Sequence, residues 1–215
     1  MQLMLVRHAQ NDWVGERLAG WTPGVHLNEE GRQQAETLGR RLAHLPLTAI
    51  YSSPLERAVE TAQAIAIHHG LEIEILEDLG EVRYGEWTGK SLKELAKTEL
   101  WPVVQVHPSG ARFPQGENLR QVQARAVAAL DVLRQTHPGE TDVVAVVSHA
   151  DVIKAVLAHY AGLHLDLFQR LVISPASFSV VRFTRFGPRI VCLNDTGDVP
   201  QPHLPQEEPR SQSEG

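Results

Sequence analysis

The chain has 215 residues, a formal net charge of −6 and a pI of about 6.0. This length suits one α/β domain, and the acidic balance excludes a globally basic protein that binds nucleic acid or a membrane surface. Cys192 is the only cysteine and no apolar stretch approaches the roughly 20 residues that span a bilayer, so we expect a cytoplasmic globular protein with neither disulfides nor a membrane partner.

Short apolar runs with strand character alternate along the chain with segments of helical period. The runs are residues 3–6, 49–51, 73–76 and 143–147, and the apolar helical stripes are residues 35–45, 55–65 and 119–133. This order predicts an α/β fold, a three-layer α/β/α sandwich around a mostly parallel sheet. Residues 178–183 and 189–193, separated by Thr-Arg-Phe-Gly-Pro, predict an antiparallel hairpin at the sheet edge, which makes the sheet mixed.

The composition changes near the C-terminus. From Val199 onward the chain has four prolines together with Gln, Glu and Ser, and Leu204 is its one large hydrophobic residue. Such a segment buries too little apolar surface to offset the entropy lost on ordering. We therefore predict one domain over residues 1–198 and a disordered tail over residues 199–215.

The second helix carries recognisable start signals. Ser53 is suited to the N-cap, Pro54 to the first helical position, and Glu56 completes an S-x-x-E capping box. This pattern places Arg57 in the first turn of the helix.

Histidines and arginines follow three of the predicted strands. The first strand ends in Arg7 and His8, the buried run at 143–147 leads to His149, and Arg57 follows the second strand. Ligands of open α/β sheets bind at the carboxyl ends of strands, where a following helix also presents free backbone N–H groups. A lone histidine or arginine there is usually structural or solvated, but the convergence of all four predicts a site for a dianion such as a phosphoryl group.

Several motifs resemble those of the histidine phosphatase superfamily, which includes phosphoglycerate mutases and broad-specificity phosphatases. Arg-His-Ala corresponds to the Arg-His-Gly signature of that family, and the ordered set of similar segments implies a phosphoglycerate mutase-like fold. The segments are residues 5–9, 27–35, 52–62, 81–89 and 147–153, with a looser match at 114–125.

The resemblance implies a role for each polar residue of the site. His8 would attack phosphorus, with its other ring nitrogen held by a backbone carbonyl. Arg7, Arg57 and His149 would stabilise the phosphoryl oxygens, and Glu81 would serve as general acid and base. Without the resemblance, Glu81 would be interpreted as a solvated loop carboxylate.

The resemblance also assigns substrate contacts to Asn11, Gly20, Tyr84 and Ala150, although the aromatic ring of Tyr84 is equally suited to packing. The loop after His8 departs from the family pattern. Ala9 replaces the usual glycine, and this would restrict the backbone if the position needs a positive φ.

Three functions are compatible with these residues. We predict a phosphoric monoester hydrolase that acts through phosphohistidine on a small phosphorylated metabolite. The alternatives are a phosphomutase, which the short segment at 89–116 disfavours, and a catalytically weak phosphoester-binding protein. The remaining histidines lack cysteines or carboxylates at ligand spacing, so we predict no metal and no cofactor. The sequence is compatible with a homodimer and indicates no nucleic-acid partner.

Overall fold

A mixed β-sheet forms the centre of the protein. The structure is a computed structural model that describes residues 1–198, so the predicted tail at 199–215 lies outside the described residues. The strands in this part of the chain are β1 (Gln2–Arg7), β2 (Leu47–Ser52), β3 (Ile73–Ile75), β4 (Val143–Ser148), β5 (Phe178–Thr184) and β6 (Gly187–Asp195). They lie in the order β3-β2-β4-β1-β5-β6, in which the first four are parallel and β5 and β6 are antiparallel.

Helices cover both faces of the sheet. They are α1 (Glu29–Leu42), α2 (Glu56–Ala66), α3 (Leu92–Leu95), α4 (Leu100–Val106), α5 (Leu119–Thr136) and α6 (Ala150–Ala161). α1 and α2 pack on one face, while α5 and α6 pack on the other. The predicted three-layer sandwich is therefore confirmed. In residues 1–198 no helix is both long and apolar enough to cross a membrane.

The alternation of side chains along β1 builds two separate cores. Leu3 and Leu5 belong to the core beneath α5 and α6, whereas Met4 and Val6 belong to the core beneath α1 and α2. Successive side chains of a strand point to opposite faces, so a strand that is apolar at every position is stable only between two helical layers. This requirement places β1 and β4 side by side at the middle of the sheet.

The start of α2 differs from the prediction. The helix begins at Glu56 with Leu55 as its N-cap residue, and no side chain caps it, so the predicted capping box at Ser53 is wrong. The Oγ atom of Ser53 instead lies 2.7 Å from Nε2 of His149. The tertiary contact with a distant histidine thus takes the place of the local capping bond.

The parallel register aligns the strand ends that carry the polar residues. Arg7 pairs with Ser148 across β1 and β4, and Ser52 pairs with Val147 across β2 and β4. The residues that follow these three strands consequently meet at one edge of the sheet.

Candidate active site

His8 lies at the centre of this edge and is 4% exposed. Its backbone N–H donates to the Ser148 carbonyl, which ties the residue to the end of β4. Nδ1 lies 2.7 Å from the Ala9 carbonyl oxygen, which can only accept, so Nδ1 carries the hydrogen and Nε2 holds a lone pair. Burial, with the charges of Arg57 and Arg7, holds the pKa of His8 well below its usual value. The imidazole is therefore neutral and nucleophilic.

Ala9 fits the position where the family usually has glycine. It is not among the non-glycine residues with positive φ. Its backbone N–H donates to Oγ1 of Thr61 on α2 at 3.0 Å, and its side chain is fully buried. The conformation needs no glycine, so the methyl group imposes no backbone strain.

Two buried guanidinium groups supply the positive charge of the site. Nη2 of Arg57 donates to the Gly20 carbonyl at 2.9 Å, and Nη1 of Arg7 donates to the Ile173 carbonyl at 2.7 Å. Nη1 of Arg57 and Nε of Arg7 are buried without a hydrogen-bond partner in residues 1–198. Unpaired buried donors of charged groups are costly, so these atoms fit an anion that accepts from them.

His149 lies beside His8 as the N-cap residue of α6. It is fully buried, and its ring centroid is 5.2 Å from that of His8. Nε2 of His149 is hydrogen-bonded to the Ser53 hydroxyl. Nδ1 lies 3.4 Å from Nη2 of Arg57 and 3.9 Å from Oε2 of Glu81. Burial, together with the nearby positive charges, holds the pKa of His149 well below its usual value. The neutral ring therefore presents Nδ1 to the phosphoryl site.

Glu81 places a carboxyl group within this cluster. Its side chain is 13% exposed, and Oε1 accepts from the Val82 N–H at 2.9 Å. Burial and, secondarily, the charge of Asp151 raise the pKa of Glu81 to about 7. Near neutral pH the group is therefore present in both protonated and ionised forms, as an acid and base in turn requires.

Side chains from distant elements hold the loop that carries Glu81. Arg125 on α5 donates to three of its carbonyls, Ser148 to a fourth, and the ring of Trp21 also contacts the loop. The bonds run from Arg125 to Asp78, Gly80 and Glu81 at 2.6, 2.9 and 3.0 Å, from Ser148 to Leu79 at 2.7 Å, and from Trp21 to Glu81 at 2.6 Å. Arg125 is itself paired with Glu117 at 2.9 Å. Four consecutive carbonyls are thus fixed by side chains, which positions Glu81.

Three of the four predicted substrate-contact residues line a cleft of about 150 Å³ that His8 also lines. Asn11, Tyr84 and Ala150 line it, and Ala150 is the first residue of α6, where backbone N–H groups lack helical partners. The Oδ1 atom of Asn11 accepts from the backbone of Trp13 at 2.9 Å, so Nδ2 is its remaining donor. Gly20 is not among the lining residues and contributes its carbonyl to Arg57.

Three polar residues of the site were not predicted from the sequence to have these roles. Ser53 has the sequence features of a helix cap, Arg125 lies within a loose family match, and the motifs give Asp151 no role in the site. Asp151 had a usable signal, because the first turn of a helix that follows a catalytic-edge strand must lie at that edge. The partners of Ser53 and Arg125 are far away in sequence and left no local signal.

The fold and this anion pocket together define an α/β enzyme of phosphoryl-group chemistry. The family model of the histidine phosphatase superfamily (branch 1) matches residues 3–196. The chain therefore belongs to the histidine phosphatase superfamily. This membership confirms the family inferred from the motifs and the prediction that the protein is an enzyme of the histidine phosphatase type.

Similar proteins include both phosphatases and mutase-like proteins. Phosphoserine phosphatase 1 of Hydrogenobacter thermophilus is 32% identical over 200 residues, which cover 91% of this chain and 93% of the relative. Phosphoglycerate mutase-like protein 4 of Arabidopsis thaliana is 34% identical over 160 residues, or 72% of this chain and 69% of the relative. The structure of Bacillus stearothermophilus YhfR has a TM-score of 0.84 at 29% identity, with 90% of this chain and 96% of that chain covered.

Proposed function

We propose that this protein hydrolyses small phosphomonoesters through a phosphohistidine formed on His8. The observation that carries the proposal is the lone pair on His8 Nε2 beside two buried guanidinium donors, on Arg57 and Arg7, that lack a partner in the described chain. A phosphoryl group placed there would accept from both donors while its phosphorus faces the nucleophile. The phosphatase name of the relative from Hydrogenobacter thermophilus supports the same reaction.

In the first step, Nε2 of His8 attacks phosphorus in line with the ester oxygen. The N–P bond forms as the P–O bond breaks, and the electron pair leaves on the ester oxygen, which takes the proton of Glu81. Arg7, Arg57 and His149 surround the equatorial oxygens, where the transition state carries its charge; when the Ser53 hydroxyl donates to Nε2 of His149, Nδ1 carries the hydrogen and donates to them.

In the second step, water hydrolyses the phosphohistidine. The ionised Glu81 carboxylate takes a proton from the water as its oxygen attacks phosphorus. The N–P bond breaks, its electron pair returns to Nε2 of His8, and inorganic phosphate leaves. The pKa of Glu81, raised to about 7 by burial and by Asp151, suits both halves of this cycle.

The cleft supplies the proposed contacts to the leaving group. We assign these contacts to Nδ2 of Asn11, the hydroxyl of Tyr84 and the backbone N–H of Ala150. Gly20 would act indirectly, because its carbonyl orients Arg57. The cleft volume of about 150 Å³ favours a small phosphorylated metabolite.

The proposal is tested by trapping the phosphoenzyme. Wild-type protein incubated with a ³²P-labelled ester and quenched in alkali should retain label that is stable to base and lost in acid. His8→Ala should retain none and should not turn over. His44→Ala, at an exposed histidine of the same chain, is the matched control and should behave as wild type. Label or turnover in a folded His8→Ala protein would contradict the assignment.

A mutase remains the second candidate, since the Arabidopsis thaliana relative carries a mutase-like name. A mutase must keep water from the phosphoenzyme until the product rebinds. The same reactions should therefore be analysed for released phosphate and for isomerised ester. Isomerisation without phosphate release would replace the hydrolase proposal with the mutase.

A further inference from the structure

An acidic side chain that the two reaction steps do not use lines the same cleft. Asp151 is the second residue of α6, and its side chain is 27% exposed. Oδ2 accepts from the Tyr84 hydroxyl at 3.1 Å, and Oδ1 lies 3.6 Å from Nζ of Lys154. A carboxylate offers about four lone-pair positions, so these two contacts leave acceptor capacity toward the cleft.

The cation nearest to Asp151 lies outside the cleft. Nζ of Lys154 donates to Oε1 of Gln169 at 3.0 Å and lies 5.6 Å from the ring centroid of Phe168. Lys154 is not a lining residue. Lys154 therefore offsets part of the Asp151 charge from outside the cleft, while the field of Asp151 still contributes to the raised pKa of Glu81.

Three arginines, Arg7, Arg17 and Arg57, also line the cleft. Arg7 and Arg57 lie at the phosphoryl end, where their free donors are buried. Arg17 is exposed and donates to the Gly89 carbonyl at 3.2 Å. Glu81 and Asp151 are the acidic residues of the cleft lining. The leaving oxygen must lie beside Glu81 to receive a proton, and there the negative charge of Asp151 acts together with the positive charges of Arg57 and Arg7.

We propose that Asp151 is a specificity-determining residue that selects phosphomonoesters whose leaving group carries an ammonium group close to the ester oxygen. The inference rests on the proposed phosphatase function. The cleft is small, so the atoms attached to the ester oxygen lie next to Asp151 once that oxygen contacts Glu81. An ammonium group there donates a charge-assisted hydrogen bond to the carboxylate, whereas a carboxylate in the same place is repelled.

The first test uses two substrates that differ in a single group. Phosphoethanolamine and propyl phosphate have the same size, with ammonium replaced by methyl. Wild-type kcat/KM should favour phosphoethanolamine about tenfold or more, the value of a hydrogen bond to a charged group. In Asp151→Asn, which retains an oxygen for the Tyr84 hydroxyl, this ratio should fall to near one.

The ratio is the readout because removal of the Asp151 charge also alters Glu81 and hence the rate on every ester. Asp12→Asn is the matched control, since Asp12 is exposed, pairs with Asn28 and does not line the cleft. It should retain the wild-type ratio. Phosphoserine and 3-phosphoglycerate form a second pair, with ammonium replaced by hydroxyl, and should show the same preference and the same loss in Asp151→Asn.

Two results would overturn the inference while leaving the phosphatase intact. One is equal kcat/KM of the wild type on phosphoethanolamine and propyl phosphate, both hydrolysed through His8. The other is a preference that persists unchanged in Asp151→Asn. Failure of the proposed function looks different, because no ester would then yield inorganic phosphate, and the inference would fall with it.

Discussion

Replacement of Glu81 by glutamine removes the proton that the leaving oxygen receives and leaves the shape of the side chain intact. Glutamine keeps a carbonyl oxygen for the Val82 N–H, which Oε1 accepts in the wild type at 2.9 Å. The loop itself is held through its backbone carbonyls by Arg125, Ser148 and Trp21, so these hydrogen bonds do not depend on the Glu81 side chain. The variant should therefore fold normally and report on proton transfer.

The size of the effect depends on the leaving group. General acid catalysis contributes about 10²-fold to 10⁴-fold, which corresponds to about 3–5 kcal/mol of transition-state stabilisation. We expect Glu81→Gln to lower kcat/KM on propyl phosphate by this factor, because an alkoxide is a poor leaving group and kcat/KM reports P–O cleavage rather than the later hydrolysis in which Glu81 is the base. On p-nitrophenyl phosphate the loss should be much smaller, because its phenolate leaves without protonation.

The pH dependence provides an independent check. Burial and the charge of Asp151 raise the pKa of Glu81 to about 7, so the protonated acid predominates below that pH and is lost above it. When P–O cleavage limits the rate, kcat on propyl phosphate should fall as pH rises through about 7. The Glu81→Gln profile should lack this limb, since the amide does not titrate there.

Steady-state rates on the two esters between pH 5.5 and 8.5, roughly the range that brackets the acid and base forms of Glu81, would decide the matter. Circular dichroism should confirm that the variant is folded. Equal loss of kcat/KM on propyl phosphate and p-nitrophenyl phosphate would refute the role of Glu81 as the general acid. If the rate of Glu81→Gln still falls as pH rises through about 7, the group that titrates there is not Glu81.

Three further substitutions probe the site and its support. Arg57→Lys keeps the charge but loses the free Nη1 donor, so kcat should fall about 10²-fold to 10³-fold; wild-type turnover would exclude Arg57 from transition-state stabilisation. Arg125→Ala leaves Glu117 without its guanidinium and should lower the free energy of unfolding in urea by about 2–4 kcal/mol; an unchanged free energy of unfolding would show that the pair does not stabilise the fold. Leu130→Ala, at a fully buried position, should cost about 2–5 kcal/mol in the same assay, against less than about 0.5 kcal/mol for Val132→Ala, which is 58% exposed on the same helix. Similar losses of unfolding free energy for Leu130→Ala and Val132→Ala would contradict the assignment of Leu130 to the core.

Local patterns in the sequence were sufficient for the strands and for the catalytic edge. The run at 143–147 is apolar at every position, and only a strand covered on both faces accommodates that. Once β1 and β4 are parallel neighbours, His8 and His149 must follow them at the same edge. Their convergence was therefore predictable, because each step depends on residues that are adjacent in the chain.

The atomic partners of these residues were decided only by the tertiary structure. Ser53 has every local feature of a helix cap, yet it binds His149, which a helix and a strand from another part of the chain bring to it. Arg125, on a distant helix, binds the backbone of the loop that carries Glu81. Asp151 lines the cleft because α6 begins at that edge of the sheet. Such contacts join segments that are far apart in sequence, and their energies are set by burial and distance, which a local pattern does not contain. The sequence alone thus determined the fold class and the edge of the sheet at which the proposed nucleophile lies, whereas packing determined the hydrogen-bond partners and the surroundings of the cleft.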